Sequence, residues 1–165
     1  MEAFEIVWIA GRPNYRRLFR SLRYRQFLWS AKILMQFIPA NDSPFIPASH
    51  EDPRNPGVLK RVIATRSDFQ SGQVQMLNWA HLPAGMSFQS HYHEDMQEVF
   101  VLITGEVTMT CGDCVFTMSP GDTIIVAPGE VHQMQNIGAE AAEYIVFGIS
   151  SQKGGRTVVV KGIDA

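Results

Sequence analysis

A chain of 165 residues, 45% of them hydrophobic, can bury one core of ordinary size but not two full domains. Its composition excludes collagen-like and broadly disordered chains, and no apolar run approaches the roughly 20 residues of a membrane span. The net charge of −2 hides a step: residues 1–34 carry +5, and the remainder carries −7. Such a step marks an appended segment.

The first short apolar run, FEIVWIA at residues 4–10, follows acids and precedes Gly-Arg-Pro. It does not have the form of a secretory signal, so the expected compartment is the cytoplasm. Residues 15–29 can be drawn as a basic amphipathic helix, with Tyr15, Leu18, Phe19, Leu22 and Leu28 in partial helical spacing and arginines between them. A membrane-surface helix, a nucleic-acid contact and a targeting peptide all fit that pattern. Glu2, Glu5 and the scarcity of serine argue against targeting. The simpler expectation is a non-essential extension upstream of Met35, outside the native fold. The next segment, NDSPFIPASHEDPRNPG at residues 41–57, holds four prolines and reads as a surface-hugging arm. His50, beside Glu51 and Asp52, is expected to be a solvated loop histidine. The expected division is therefore an extension and arm over residues 1–57 and a folded domain over 58–165.

From Val58 the pattern becomes a series of short β-rich runs: VLKRVIAT, QVQMLNWAHL, SFQSHYH, EVFVLIT, EVTMTC, CVFTMS, DTIIVAP, HQMQNI, EYIVFGI and TVVVK. Gly, Pro, Asn or Asp stands at many of the breaks. Many short strands with no convincing helix predict an all-β sandwich or barrel. Cys111-Gly-Asp-Cys114 has CxxC spacing, but Gly-Asp lies between two strand-like runs and reads as a hairpin turn. With no second CxxC and no following helix, two cysteines flanking a turn are expected rather than a zinc or redox site.

Metal-ligand chemistry concentrates in SHYHEDMQE, residues 90–98. Side chains i and i+2 of a strand share a face, so His91 and His93 project together. Glu98 opens the next apolar run; if it faces inward, its charge needs a counter-charge. A cation shared with two imidazoles supplies one, and nitrogen plus carboxylate ligands suit iron, manganese, nickel, zinc or copper. A further ligand is expected. His132, in APGEVHQMQN, is the candidate, and His81, beside the loop in NWAHLPAG, competes with it.

The spacing Gly85-x5-His91-x-His93-x4-Glu98-x6-Gly105 resembles the first motif of the cupin superfamily at every fixed position. The second motif is matched by Gly121, Gly129, His132 and Asn136, with Ala127 where that motif has proline. The resemblance implies a single jelly-roll β-barrel holding one divalent metal on His91, His93, Glu98 and His132, as in small single-domain cupins. It also implies a homodimer, formed by exchange of N-terminal strands such as residues 58–65. Four protein ligands in an octahedral shell leave two positions for a small-molecule substrate or dioxygen. Glu98 is the candidate catalytic base. By alternation, Gln89, Phe100, Met109, Phe116, Met118 and Met134 are candidate pocket-lining residues. The leading functional expectation is a metal-dependent enzyme on a small organic molecule, with dioxygenase-like oxidation first. The alternatives are an isomerase or lyase, or a non-enzymatic module binding a sugar or organic acid. No nucleic-acid partner is expected, because no DNA-binding helix pair accompanies the strands.

A chain beginning at Met35 is expected to fold and to bind metal as the full chain does, since every motif residue lies downstream. Circular dichroism and elemental analysis of that truncation check this; loss of soluble folded protein would show that residues 15–29 pack on the domain.

Overall fold

The computed structural model describes residues 36–69, 72–151 and 155–160. The basic helix expected at 15–29 lies outside them. The chain divides into two compact units, Met1–Phe37 and Ile38–Ala165. Every described strand belongs to the second.

Among the described residues, eleven strands build that unit. In chain order they are β1 (Ile46–Pro47), β2 (Leu59–Thr65), β3 (Val74–Leu82), β4 (His91–His93), β5 (Gln97–Thr104), β6 (Val107–Cys111), β7 (Cys114–Met118), β8 (Thr123–Val126), β9 (His132–Asn136), β10 (Ala142–Ile149) and β11 (Thr157–Val159). They form two antiparallel sheets, ordered β1-β2-β3-β10-β5-β8 and β11-β4-β9-β6-β7. The fold class is all-β, as expected. Each of the ten β-rich runs contributes a strand. SFQSHYH contributes least, only β4, plus an isolated bridge from Ser87 to Gln135.

Two-residue periodicity sets the core. Along β10 burial alternates at every position, and β6 and β9 keep their first, third and fifth residues inside. Leu82, Phe100, Leu102, Val107, Met109 and Met134 meet between the sheets at 2% exposure or less. Burial of each such side chain stabilises by about 1.5–3 kcal/mol. Across the first sheet the register sets inward rows. Lys60, Ala80, Tyr144 and Leu102 form one; Val62, Asn78, Val146 and Phe100 form the next; Met76, Gly148, Glu98 and Val126 form a third.

The Cys-Gly-Asp-Cys segment is a hairpin turn. Cys111 and Cys114 stand opposite each other, Gly112 takes φ +53°, and both thiols are free. Burial pushes the Cys111 thiol up to about 11, which keeps it protonated and unreactive.

The Pro-rich arm is tied to the barrel. Ile46 and Pro47 pair with Lys60 and Leu59, and Ala48 N–H donates to Val58 O at 3.3 Å. Glu51, 9% exposed, accepts from Gly57 N–H at 2.7 Å and from Gln89 N–H at 2.8 Å. At Gly57 the chain passes so close to the strand entry that a Cβ would lie 2.0 Å from Ser87 O, so only glycine fits. Thus the segment leading into His91 hangs on a carboxylate from the arm.

Glu51→Ala leaves two buried N–H groups without acceptors. It is expected to lower unfolding free energy by about 2 kcal/mol or more, read as a shifted urea midpoint. An unchanged midpoint would show that the arm rests on the barrel without holding it.

Candidate metal centre

Three strands and both sheets meet at one point. Alternation along β4 buries His91 and His93 and turns Tyr92 outward. β9 pairs with β4 so that His132 lies directly opposite His91. Glu98 arrives from the other sheet, on β5, at 5% exposure. The turn before His132 is fixed by Gly129, at φ +80°, whose N–H donates to His93 O at 2.7 Å. Ala127, the one departure from the motif, uses its N–H to bond Glu130 Oε2 at 3.2 Å, a bond proline could not make.

Glu98 Oε2 lies 3.1 Å from Nε2 of His93, 3.1 Å from Nε2 of His132 and 3.9 Å from Nε2 of His91. One ligand atom from each of the four residues falls within 4.8 Å of the others. The outer ring nitrogens explain the orientation. His91 Nδ1 meets Gln89 O at 2.7 Å, and His132 Nδ1 meets Glu130 O at 3.0 Å. A carbonyl only accepts, so those Nδ1 atoms carry the protons and the Nε2 lone pairs point inward. His93 Nδ1 faces Thr157 Oγ1 at 3.3 Å. Although its Nε2 is near Glu98, it lacks hydrogen-bond geometry and is a buried nitrogen without a partner.

Burial, with His132 beside it, lowers His91 to about 4, so the ring is neutral near pH 7. Burial alone would raise the Glu98 carboxyl; contacts with His132 and His93 outweigh it and hold the group well below the usual carboxylate range. Nε2 atoms turned toward a buried carboxylate make a donor set in which a divalent cation would supply the positive centre, and three imidazole nitrogens with one carboxylate oxygen suit zinc, iron, nickel, copper or manganese. The residues therefore fit a metal ion and could hold one.

A cavity of about 100 Å³ opens beside the cluster, lined in part by His91, His93, Glu98 and Phe100. Of the other expected lining residues, none borders it. Met109, Met118 and Met134 are on inward faces but are sealed in the apolar core. Alternation tells inside from outside and does not tell depth along the barrel. Phe116 is 49% exposed because β7 is an edge strand with no neighbour on its far side. Gln89 acts beside the site instead, through its carbonyl on His91 and its N–H on Glu51.

His50 corrects the sequence reading more sharply. It is not solvated: its ring stacks on His91, centroids 4.0 Å apart and planes 19° apart, and borders the cavity. Burial, then His91, lowers it to about 3, so it is neutral. Lys60, Asn78 and Tyr144 also border the cavity and were not anticipated. The signal was present: Lys60 shares a strand side with Val62 and Ala64, and Asn78 with Met76, Ala80 and Leu82. His81 faces Glu143 at 3.7 Å instead of the cluster.

Comparison with known proteins agrees with this geometry. Residues 78–148 match the cupin-domain family model. An uncharacterized protein of Methanocaldococcus jannaschii is 33% identical over 67 residues, 41% of this chain and 54% of that protein. The chain thus matches about half the length of that curated relative. Among solved structures, a predicted oxalate decarboxylase from Thermotoga maritima superposes with TM-score 0.62 at 20% identity, covering 70% of this chain and 99% of that one. The polyketide cyclase RemF from Streptomyces resistomycificus gives 0.63 at 15% identity, covering 79% and 89%. A cupin sugar phosphate isomerase from Silicibacter pomeroyi gives 0.60 at 17% identity, covering 77% and 83%. The architecture is that of a double-sheet jelly-roll barrel with a buried histidine–carboxylate cluster. Cupin-superfamily membership is supported by the family-model match over residues 78–148 and by the shared fold.

His91→Ala and His93→Ala are each expected to remove most bound metal while preserving the fold, and His132→Ala to act likewise but less severely. Glu98→Gln, keeping a neutral oxygen, should weaken binding without abolishing it. Metal per chain by elemental analysis, beside circular dichroism, decides. Full occupancy in both His91→Ala and His132→Ala would remove the four-ligand site.

Proposed function

We propose that the protein is a metal-dependent enzyme acting on a small organic molecule, with dioxygen-dependent oxidation as the leading class. The observation that carries this reading is the convergence of three Nε2 atoms and one carboxylate oxygen beside an open cavity that His91, His93 and Glu98 line. A bound divalent ion would supply Lewis-acid polarisation and, if redox-active, dioxygen chemistry.

The chain's own groups supply the rest. His91, His93, Glu98 and His132 hold the ion. Phe88 and Phe100 pack against His132 at centroid distances of 6.0 and 5.7 Å and keep water from that side. His50 braces His91 by stacking. Glu98 is the carboxylate among the lining residues and is the base that accepts a substrate proton. The reading extends to a homodimer exchanging strand 58–65 and to a cytoplasmic location, with residues 1–34 appended to the functional domain. No helix among the described residues is long and apolar enough to cross a membrane.

A second, redox-neutral reading, isomerase or lyase chemistry, is favoured by Lys60 and Tyr144 in the cavity. An ammonium and a phenol there can stabilise or protonate a developing anion without an oxidant.

Metal content after native purification, then oxygen uptake with catechols, flavonols, thiols and keto acids, separates these. The oxidase reading expects substrate-dependent oxygen consumption that His91→Ala abolishes. Turnover that continues without oxygen supports the second. Saturable ligand binding with no turnover under either condition makes the protein a binding module.

A further inference from the structure

We propose that the cavity selects a small carboxylate that also bears a hydroxyl or similar hydrogen-bond donor, with Lys60 holding the acid group and Asn78 receiving the donor. This deepens the metal-enzyme reading and rests on it.

Three observations lead here. First, Lys60 is drawn into the barrel wall. It sits on β2 in an inward row, borders the same cavity as Glu98, and donates from Nζ to Ser49 Oγ at 3.4 Å. Second, Asn78 is 3% exposed and borders the cavity, and its Oδ1 has no hydrogen-bond partner among the described residues, while its Nδ2 donates to Met76 Sδ at 3.0 Å. A buried carbonyl oxygen without a donor is costly, and a ligand O–H or N–H would satisfy it. Third, with a divalent ion bound, the charges would not balance without a ligand. Glu98 brings one negative charge to the cavity wall, which would face that ion and Lys60. Glu51, the nearby buried carboxylate, is already committed to the N–H groups of Gly57 and Gln89. An anion restores neutrality in a low-dielectric site.

Size narrows the class. A cavity of about 100 Å³ is smaller than the 150 Å³ cavity that encloses a benzene ring. It accommodates a short acid, or the acid end of a longer molecule. One end of that molecule reaches the ligand cluster, and the other meets Lys60. The remaining wall, with Met76, Met96 and Val146, offers no further charge.

Calorimetry on the full-length, metal-loaded chain tests this with glycolate, lactate and pyruvate, each against its uncharged amide. Wild type is expected to bind at least one acid and to prefer it to its amide. Lys60→Met should weaken that acid by about tenfold or more, with metal per chain unchanged, and Lys60→Arg should recover part of the loss. Asn78→Leu should reduce the preference for the hydroxy acids over pyruvate. Equal binding by wild type and Lys60→Met overturns the proposal and leaves the metal reading intact, as does failure of wild type to prefer any acid over its amide. Absence of metal in wild type removes the metal reading separately; the acid-versus-amide comparison, repeated on that protein, still decides the role of Lys60.

Discussion

The structure turns on one buried negative charge. The Glu98 carboxylate lies between the sheets, in contact with imidazole nitrogens carried by the opposite sheet. Burying an isolated carboxylate costs far more than a domain of this size can spare. The arrangement persists only if positive charge is shared with it. Orientation is achieved by the same local device at His91 and His132: each Nδ1 bonds a carbonyl two residues earlier, Gln89 O and Glu130 O. Both devices leave Nε2 as the inward acceptor, so the cluster is organised for a cation before any cation arrives.

Glu51 shows the other solution to the same problem. It is also a buried carboxylate, yet its oxygens are satisfied by backbone N–H groups of Gly57 and Gln89, at 2.7 and 2.8 Å. That choice makes it structural. It also couples the arm to the centre, because Gln89 bonds Glu51 through its N–H and His91 through its carbonyl. A Pro-rich stretch without periodicity thus takes part in setting the tilt of a ligand ring. His50, on that stretch, completes the contact by stacking on His91.

The sequence made some of this legible and hid the rest for definite reasons. Strand periodicity is local, so the strands and the shared face of His91 and His93 could be read from spacing. The pairing of His132 with His91 is not local, and the motif resemblance supplied it. His50 was misread because loop composition says where a chain bends, not what it bends against. Met109, Met118 and Met134 were correctly inward, yet the cavity occupies another depth of the barrel. Phe116 failed for a topological reason: nothing in CVFTM reveals that its strand would end a sheet. Lys60 and Asn78 carry the right alternation, but they stand among apolar side chains, and alternation alone does not tell a cavity wall from a packed core.

The two sheets divide the labour. On the second sheet His91, His93 and His132 face inward and are committed to the cluster, with Thr157 Oγ1 at His93 Nδ1. Changing them would change whether an ion could be held. On the first sheet Glu98 alone joins the cluster, and the rows beside it offer Lys60, Asn78, Tyr144 and Met76 to the cavity. Those positions can vary without disturbing the ligands, because each points inward from a strand whose register is fixed by its neighbours. One barrel can therefore support chemistries as different as those named for the structures it resembles, a predicted decarboxylase, a cyclase and an isomerase. On the proposed reading, selection of the substrate belongs to β2, β3 and β10, and the ammonium at position 60 is the charge those strands bring to it.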